Sequence, residues 1–101
     1  MSLLTVSTAQ KQIAQHTRDR RLVMGLTQAG LAIRSGVSLS SLRKFEQQYM
    51  ISLESFLKLM LTLNGLEELV DTVKPKQSKY LSIDDVLKDN KAKTPKKGKR
   101  T

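Results

Sequence analysis

Residues 27–47, TQAGLAIRSGVSLSSLRKFEQ, constrain this chain more than any other stretch. They divide into two short helical segments around a tight turn at Gly36. Thr27 and Ser38 stand where each helix begins, because their hydroxyls can accept from a backbone N–H of the first turn. Gly36, at the turn, ends the first of the two. Leu31, Ala32, Val37, Leu42 and Phe45 supply an apolar inward side. Arg43 and Lys44 follow Leu42 directly, so the second helix carries short polar and basic groups opposite its apolar seat. The same spacing also suits a purely structural helical hairpin, and the rest of the chain has to choose.

The flanking sequence continues in helices. Residues 1–6 form a short β-prone arm with Leu3, Leu4 and Val6. Ser7 and Gln10 then read as a capping box that opens a first helix running to about Met24. Ile13, Thr17, Arg21 and Met24 share a face of it, and Gly25 ends it. The second helix buries Ala29, Leu31 and Ala32, and Gly30 inside it costs about 1 kcal/mol relative to Ala. Ser52 caps a fourth helix, SLESFLKLMLTLN, whose Leu53, Phe56, Leu57, Met60 and Leu63 follow helical spacing. Leu59 and Leu61 widen that stripe beyond what one small core needs, so part of it is expected to face another subunit. Gly65 breaks the helix, and Glu67 and Glu68 open a short fifth one, LEELVDTV, with acids where the helix dipole favours them. Pro75 marks the end of the ordered domain. The expectation is an all-α, five-helix domain over residues 7–73. Its core is assigned to Ile13, Leu22, Leu31, Ala32, Val37, Leu42, Phe45, Phe56, Leu57 and Met60.

Length and composition bound the alternatives. The 101 residues suffice for one small domain. Without cysteine there is no disulfide framework and no thiolate metal site. No apolar run approaches the ~20 residues of a membrane span, and MSLLTVSTAQ lacks the marks of a signal peptide. A cytoplasmic protein is the resulting expectation.

Charge is unevenly placed. Residues 1–73 hold eight Lys/Arg and six Asp/Glu, a net +2. Residues 74–101 hold ten and three, a net +7 of the total +9. A polyanion is the natural partner of such a tail, against the plainer reading of a solubilising extension. The tail is expected to be largely disordered, Lys-rich and low in complexity from Lys88 onward. An amphipathic island at residues 80–88 interrupts it with Tyr80, Leu81, Ile83, Val86 and Leu87. Ser82 and Asp85 form a helix-start signature there. A helix so short does not hold alone in water, so the island reads as a partner-binding segment, a transient helix or a piece that folds back on the domain.

Catalysis has little to stand on. His16 is the single histidine, with no nucleophile placed beside it, and reads as a polar surface residue. Gly25, Gly30 and Gly36 punctuate helices and do not cradle phosphate. Glu67–Glu68 and Asp84–Asp85 are adjacent pairs at helix starts, not facing carboxylates. No enzyme, metal or cofactor is expected.

LTQAGLAIRSGVSLSSLRKFE resembles the helix-turn-helix of the Cro/C1-type (XRE) repressor family. The likeness rests on Gly25-Leu26-Thr27-Gln28, Leu31-Ala32, Gly36-Val37-Ser38 and Ser41-Leu42 with Phe45-Glu46, and extends over roughly residues 11–70. It implies a lambda-repressor-like domain that binds double-stranded DNA with its third helix in the major groove. Gln28 and Ser41 then meet backbone phosphate, and Ser38, Leu39, Ser40, Arg43 and Lys44 face the groove. Arg21 and Glu46 match a structural salt bridge that holds the first helix to the third. The chain departs from the pattern at Gly30, where an acidic or polar residue is usual, and at Thr17, where a larger aliphatic is preferred. Leu39 and Ser40 are also weaker readers than Gln or Lys.

The short domain, basic tail and Ser-Ile-Asp-Asp-Val-Leu island are further similar to HipB-type antitoxins, the partners of HipA-type serine/threonine kinase toxins. That likeness implies a homodimeric, bacterial, nucleoid-associated repressor of its own toxin–antitoxin operon. It would bind a palindromic operator and a HipA-like kinase. The alternatives are an XRE repressor of phage or metabolic type without a toxin, and a protein-interaction module that has lost DNA binding.

Overall fold

Five helices and no strand make up residues 3–76, the part of the chain that the computed structural model describes. They are α1 (Val6–Val23), α2 (Gln28–Ser35), α3 (Leu39–Gln48), α4 (Leu53–Thr62) and α5 (Leu66–Thr72). The tail beyond Lys76, with Tyr80, Leu81, Ile83, Val86 and Leu87, lies outside the described residues.

Hydroxyl caps set most of the helix starts. Thr27, Ser38 and Ser52 each accept from the backbone N–H three residues on, at 2.9, 3.1 and 3.1 Å. The start of α1 differs from the expected Ser7–Gln10 box. Thr5 is the cap, accepting from the Thr8 N–H at 3.1 Å, while the two threonine hydroxyls pair at 2.8 Å. Val6 thereby enters the helix, its β preference overridden by the cap before it. Replacing Ser38 with Ala is expected to lower stability by about 1 kcal/mol, read as a shifted denaturant midpoint at constant slope.

The helix ends carry a second correction. α1 closes in a Schellman arrangement: Gly25 takes φ 71°, its N–H reaches the Leu22 carbonyl and the Leu26 N–H reaches that of Arg21. α4 ends in the same way, but with Asn64, φ 63°, as its left-handed residue. Gly65 instead lies under the ends of two flexible side chains that a Cβ would have to push aside. A Cβ there would stand 2.5 Å from Arg20 Nη1 and 2.6 Å from Met60 Cε. Arg20 crosses that bare backbone to pair with Glu68 of α5 at 2.7 Å.

α2 packs on α3 and α4, α1 on α3, and α5 on α4. Leu31, Leu42 and Leu59 are fully buried among Ala14, Ala32, Val37, Phe45 and Leu63. Phe45 and Phe56 meet edge to face at 5.8 Å between ring centres. Leu31, Ala32, Val37, Leu42, Phe45 and Met60 are buried as expected, with Phe56 and Leu57 half-buried.

Ile13 and Leu22 are not core residues: they are 46% and 48% exposed. The inward face of α1 is Ala14, Thr17 and Arg21: Thr17 and Arg21 lie on the expected face, and Ala14 takes the buried place that was assigned to Ile13. Thr17 satisfies its buried hydroxyl on the Ile13 carbonyl at 2.7 Å. Ala29 is exposed as well, and the α4 stripe is centred on Leu59, Met60 and Leu63, leaving Leu53 and Leu61 outside.

Candidate functional site

The outward face of α3 begins in three serines. The Ser38 hydroxyl caps the helix, donates to Ser41 Oγ at 2.9 Å and lies 3.3 Å from Ser40 Oγ. Ser38 and Ser40 are exposed, and Ser41 is half-buried. One turn on, Arg43 and Lys44 are exposed and form no ion pair among the described residues. Leu42 and Phe45, between and behind them, are in the core. Polar and cationic groups therefore share a surface whose backing cannot rotate without exposing two large apolar side chains.

Leu39 also has a share in the core. It is half-buried and packs against the core cluster, so its apolar surface is partly spent on folding. Of the groups expected to face the groove, Ser38, Ser40, Arg43 and Lys44 are exposed, with Ser41 half-buried at their edge.

A buried ion pair fixes α3 to α1. Arg21 Nε donates to Glu46 Oε2 at 2.8 Å and Arg21 Nη2 to Glu46 Oε1 at 2.9 Å, a two-pronged contact of good geometry. The two side chains are only 8% and 5% exposed. Arg21 Nη1 also donates to the Leu26 carbonyl at 2.9 Å, which ties the α1–α2 turn to the same centre. Burial by itself pushes the Glu46 carboxyl up. The hydrogen bonds from Arg21 and Gln28 and the charges of Arg21 and Arg18 outweigh it and hold the group below its ordinary value of 4.5.

Gln28 belongs to this network, a connection that the sequence reading missed. Its Nε2 donates to Glu46 Oε1 at 2.9 Å. The side chain assigned to backbone phosphate is thus positioned by the carboxylate that orients α3. The signal was Glu46 itself, since a buried carboxylate has more acceptor sites than Arg21 fills.

Among the described residues no cluster of His, Asp or Glu could hold a metal ion, and no helix is long and apolar enough to cross a membrane. His16 is exposed on α1. The chain matches no protein-family model, no curated protein and no solved structure.

Proposed function

We propose that this chain is a sequence-specific, double-stranded DNA-binding repressor of the Cro/C1 helix-turn-helix type, with α3 as its recognition helix. The observation that carries the reading is the outward face of α3. Arg43 and Lys44 stand exposed beside a serine-lined helix start, on a helix held by Leu42, Phe45 and the Arg21–Glu46 pair. Arg or Lys in that position binds guanine O6 and N7, and Ser40 accepts or donates to either base type. Ser41 and the start of α2 at Gln28 then meet the phosphates on either side.

The protein acts as a homodimer on an inverted repeat, with half-sites about 34–36 Å apart. Leu61 and Val70 are exposed on α4 and α5, with Leu66 and Leu69 half-buried beside them, and this apolar strip suits a second copy. The tail, with most of the positive charge, adds attraction to any duplex. Its apolar island is the segment a HipA-like kinase toxin would engage, which makes the chain a HipB-like antitoxin that regulates its own operon.

Selection from a random duplex library with the full chain tests the DNA reading. The expected result is enrichment of one inverted repeat. Uniform retention of all sequences would leave a nonspecific polyanion binder, or an interaction module, in its place. Co-expression with the product of the adjacent gene tests the second half, with a kinase-like protein expected to co-purify.

A further inference from the structure

An open hollow of about 240 Å³ lies between α1, α3 and α4, away from the serine-lined start of α3. Ile13, Phe45, Tyr49, Ile51, Leu53 and Phe56 line it. Apolar side chains stand exposed at its mouth, with Leu53 70% and Ile13 46% accessible. Since a cavity of about 150 Å³ holds a benzene ring, there is room here for one large or two smaller apolar side chains. Tyr49, in its wall, is held in the left-handed region at φ 65°, an uncommon conformation for an aromatic residue.

The sequence contains one fitting occupant. Between residues 77 and 101 the apolar side chains are Tyr80, Leu81, Ile83, Val86 and Leu87, apart from the small Ala92 and Pro95. The hollow sits at the N-terminal end of α4 and α5 begins at its C-terminal end, ten residues or about 15 Å away. α5 adds seven residues, about 10 Å, before the chain leaves the domain. From Lys76 an extended chain reaches about 17 Å by Leu81 and about 35 Å by Val86, so Val86 outreaches α4 and α5 laid end to end.

Charge selects this hollow over the others. The segment carries Asp84 and Asp85 between its apolar residues. No acid lines the hollow, and the adjoining one, which shares Ile51, has Lys44 on its rim. Of the two apolar hollows on α4 and α5, one carries Glu67 alone and the other Glu67 and Asp71 against a single Lys74, so both rims are net negative and disfavour the segment.

We propose that residues 80–87 of the same chain dock in the α1–α3–α4 hollow, seating apolar side chains against Ile13, Tyr49 and Leu53. Tethering makes the contact intramolecular, so a weak fit is well populated. The docked segment covers the exposed apolar mouth and leans on Tyr49, the residue that caps α3. The inference does not depend on DNA binding and its test contains no DNA.

The test places photoreactive p-benzoylphenylalanine at Leu81, or in a second variant at Val86, in the full chain. Irradiation and peptide mapping should find crosslinks concentrated on Ile13, Tyr49 and Leu53. A charge at the mouth, Leu53→Glu, should lower that yield on the order of tenfold by placing an unpaired carboxylate in an apolar contact. Ile33→Glu, on the exposed side of α2, should leave it unchanged. Crosslinks spread evenly over the surface, or a yield indifferent to Leu53→Glu, would overturn the proposal. Mixing heavy- and light-isotope chains adds one more decisive outcome: crosslinks joining the two would mean that a second copy supplies the segment, against the proposal.

Discussion

Replacing Glu46 with Gln is expected to cost about 3–5 kcal/mol of folding stability, the range for removing one partner of a buried ion pair. Gln keeps the size of the side chain but leaves the Arg21 guanidinium, 8% exposed, without its counter-charge. The loss is a large share of the ~5–15 kcal/mol that holds a small domain together. At about 4–8 °C per kcal/mol, the melting temperature should fall by more than about 10 °C. The double variant Arg21→Met/Glu46→Leu should lose less than the single one, because no isolated charge remains in the interior. It should not recover fully, since the Leu26 carbonyl and the Gln28 amide both lose their contacts in this network. A double variant less stable than Glu46→Gln would show that the pair contributes net attraction beyond its own desolvation.

The same carboxyl gives stability a pH dependence of known sign. Its pKa is lowered on folding, so the folded state binds a proton there less readily than the unfolded chain does. The contribution is complete above the ordinary value of 4.5 and is lost as pH falls through the lower, folded-state value. The stability gap between the parent and Glu46→Gln should therefore be flat from neutral pH to about pH 5 and narrow in more acidic solution. Urea midpoints across that interval measure it. A gap that widened on acidification would reverse the assigned direction of the shift.

Periodicity and capping chemistry made most of the architecture readable in the sequence. Thr27, Ser38 and Ser52 are short hydroxyl residues before apolar-periodic runs, and each caps a helix. The phase of α1 was readable only in part: the face holding Thr17 and Arg21 is the inward one, but Ala14 is buried on it and Ile13 is not. Hydropathy alone favours Ile13 and Leu22, and only the partner surfaces decide that the small Ala14 goes inside in their place. The start of α1 was missed for a local reason, since Thr5 and Ser7 are both competent caps and the helix takes the earlier one. Gly65 was read as a helix breaker because backbone freedom is a property of the residue itself. The crossing of Arg20 above it is a tertiary fact. At the candidate site, Arg43 and Lys44 were legible from their place beside Leu42. The half-burial of Leu39 and the Gln28–Glu46 bond depend on how α2 and α3 pack.

Replacing Arg43 and Lys44 together with Ala should weaken binding to the selected duplex about 100-fold. Truncating a base-reading Arg costs roughly 1–3 kcal/mol, and two neighbouring residues on one face do not add fully. Both side chains are exposed and unpaired among the described residues, so folding stability should stay within about 0.5 kcal/mol of the parent. A loss of binding then cannot be assigned to unfolding. Selectivity should fall with affinity, because the tail, with ten Lys/Arg over residues 74–101, continues to hold any duplex. Replacing the tail lysines should do the reverse. Affinity for selected and random duplexes should drop together, and the slope of log affinity against log salt should become shallower by about one unit per phosphate contact removed. These two results would separate the two basic surfaces by what each controls under the proposed function: the ratio between sequences for α3, and mainly the salt dependence for the tail. If the Arg43→Ala/Lys44→Ala chain still binds the selected duplex as tightly as the parent does, α3 is not the recognition helix, and its serines and cations are a solvated face.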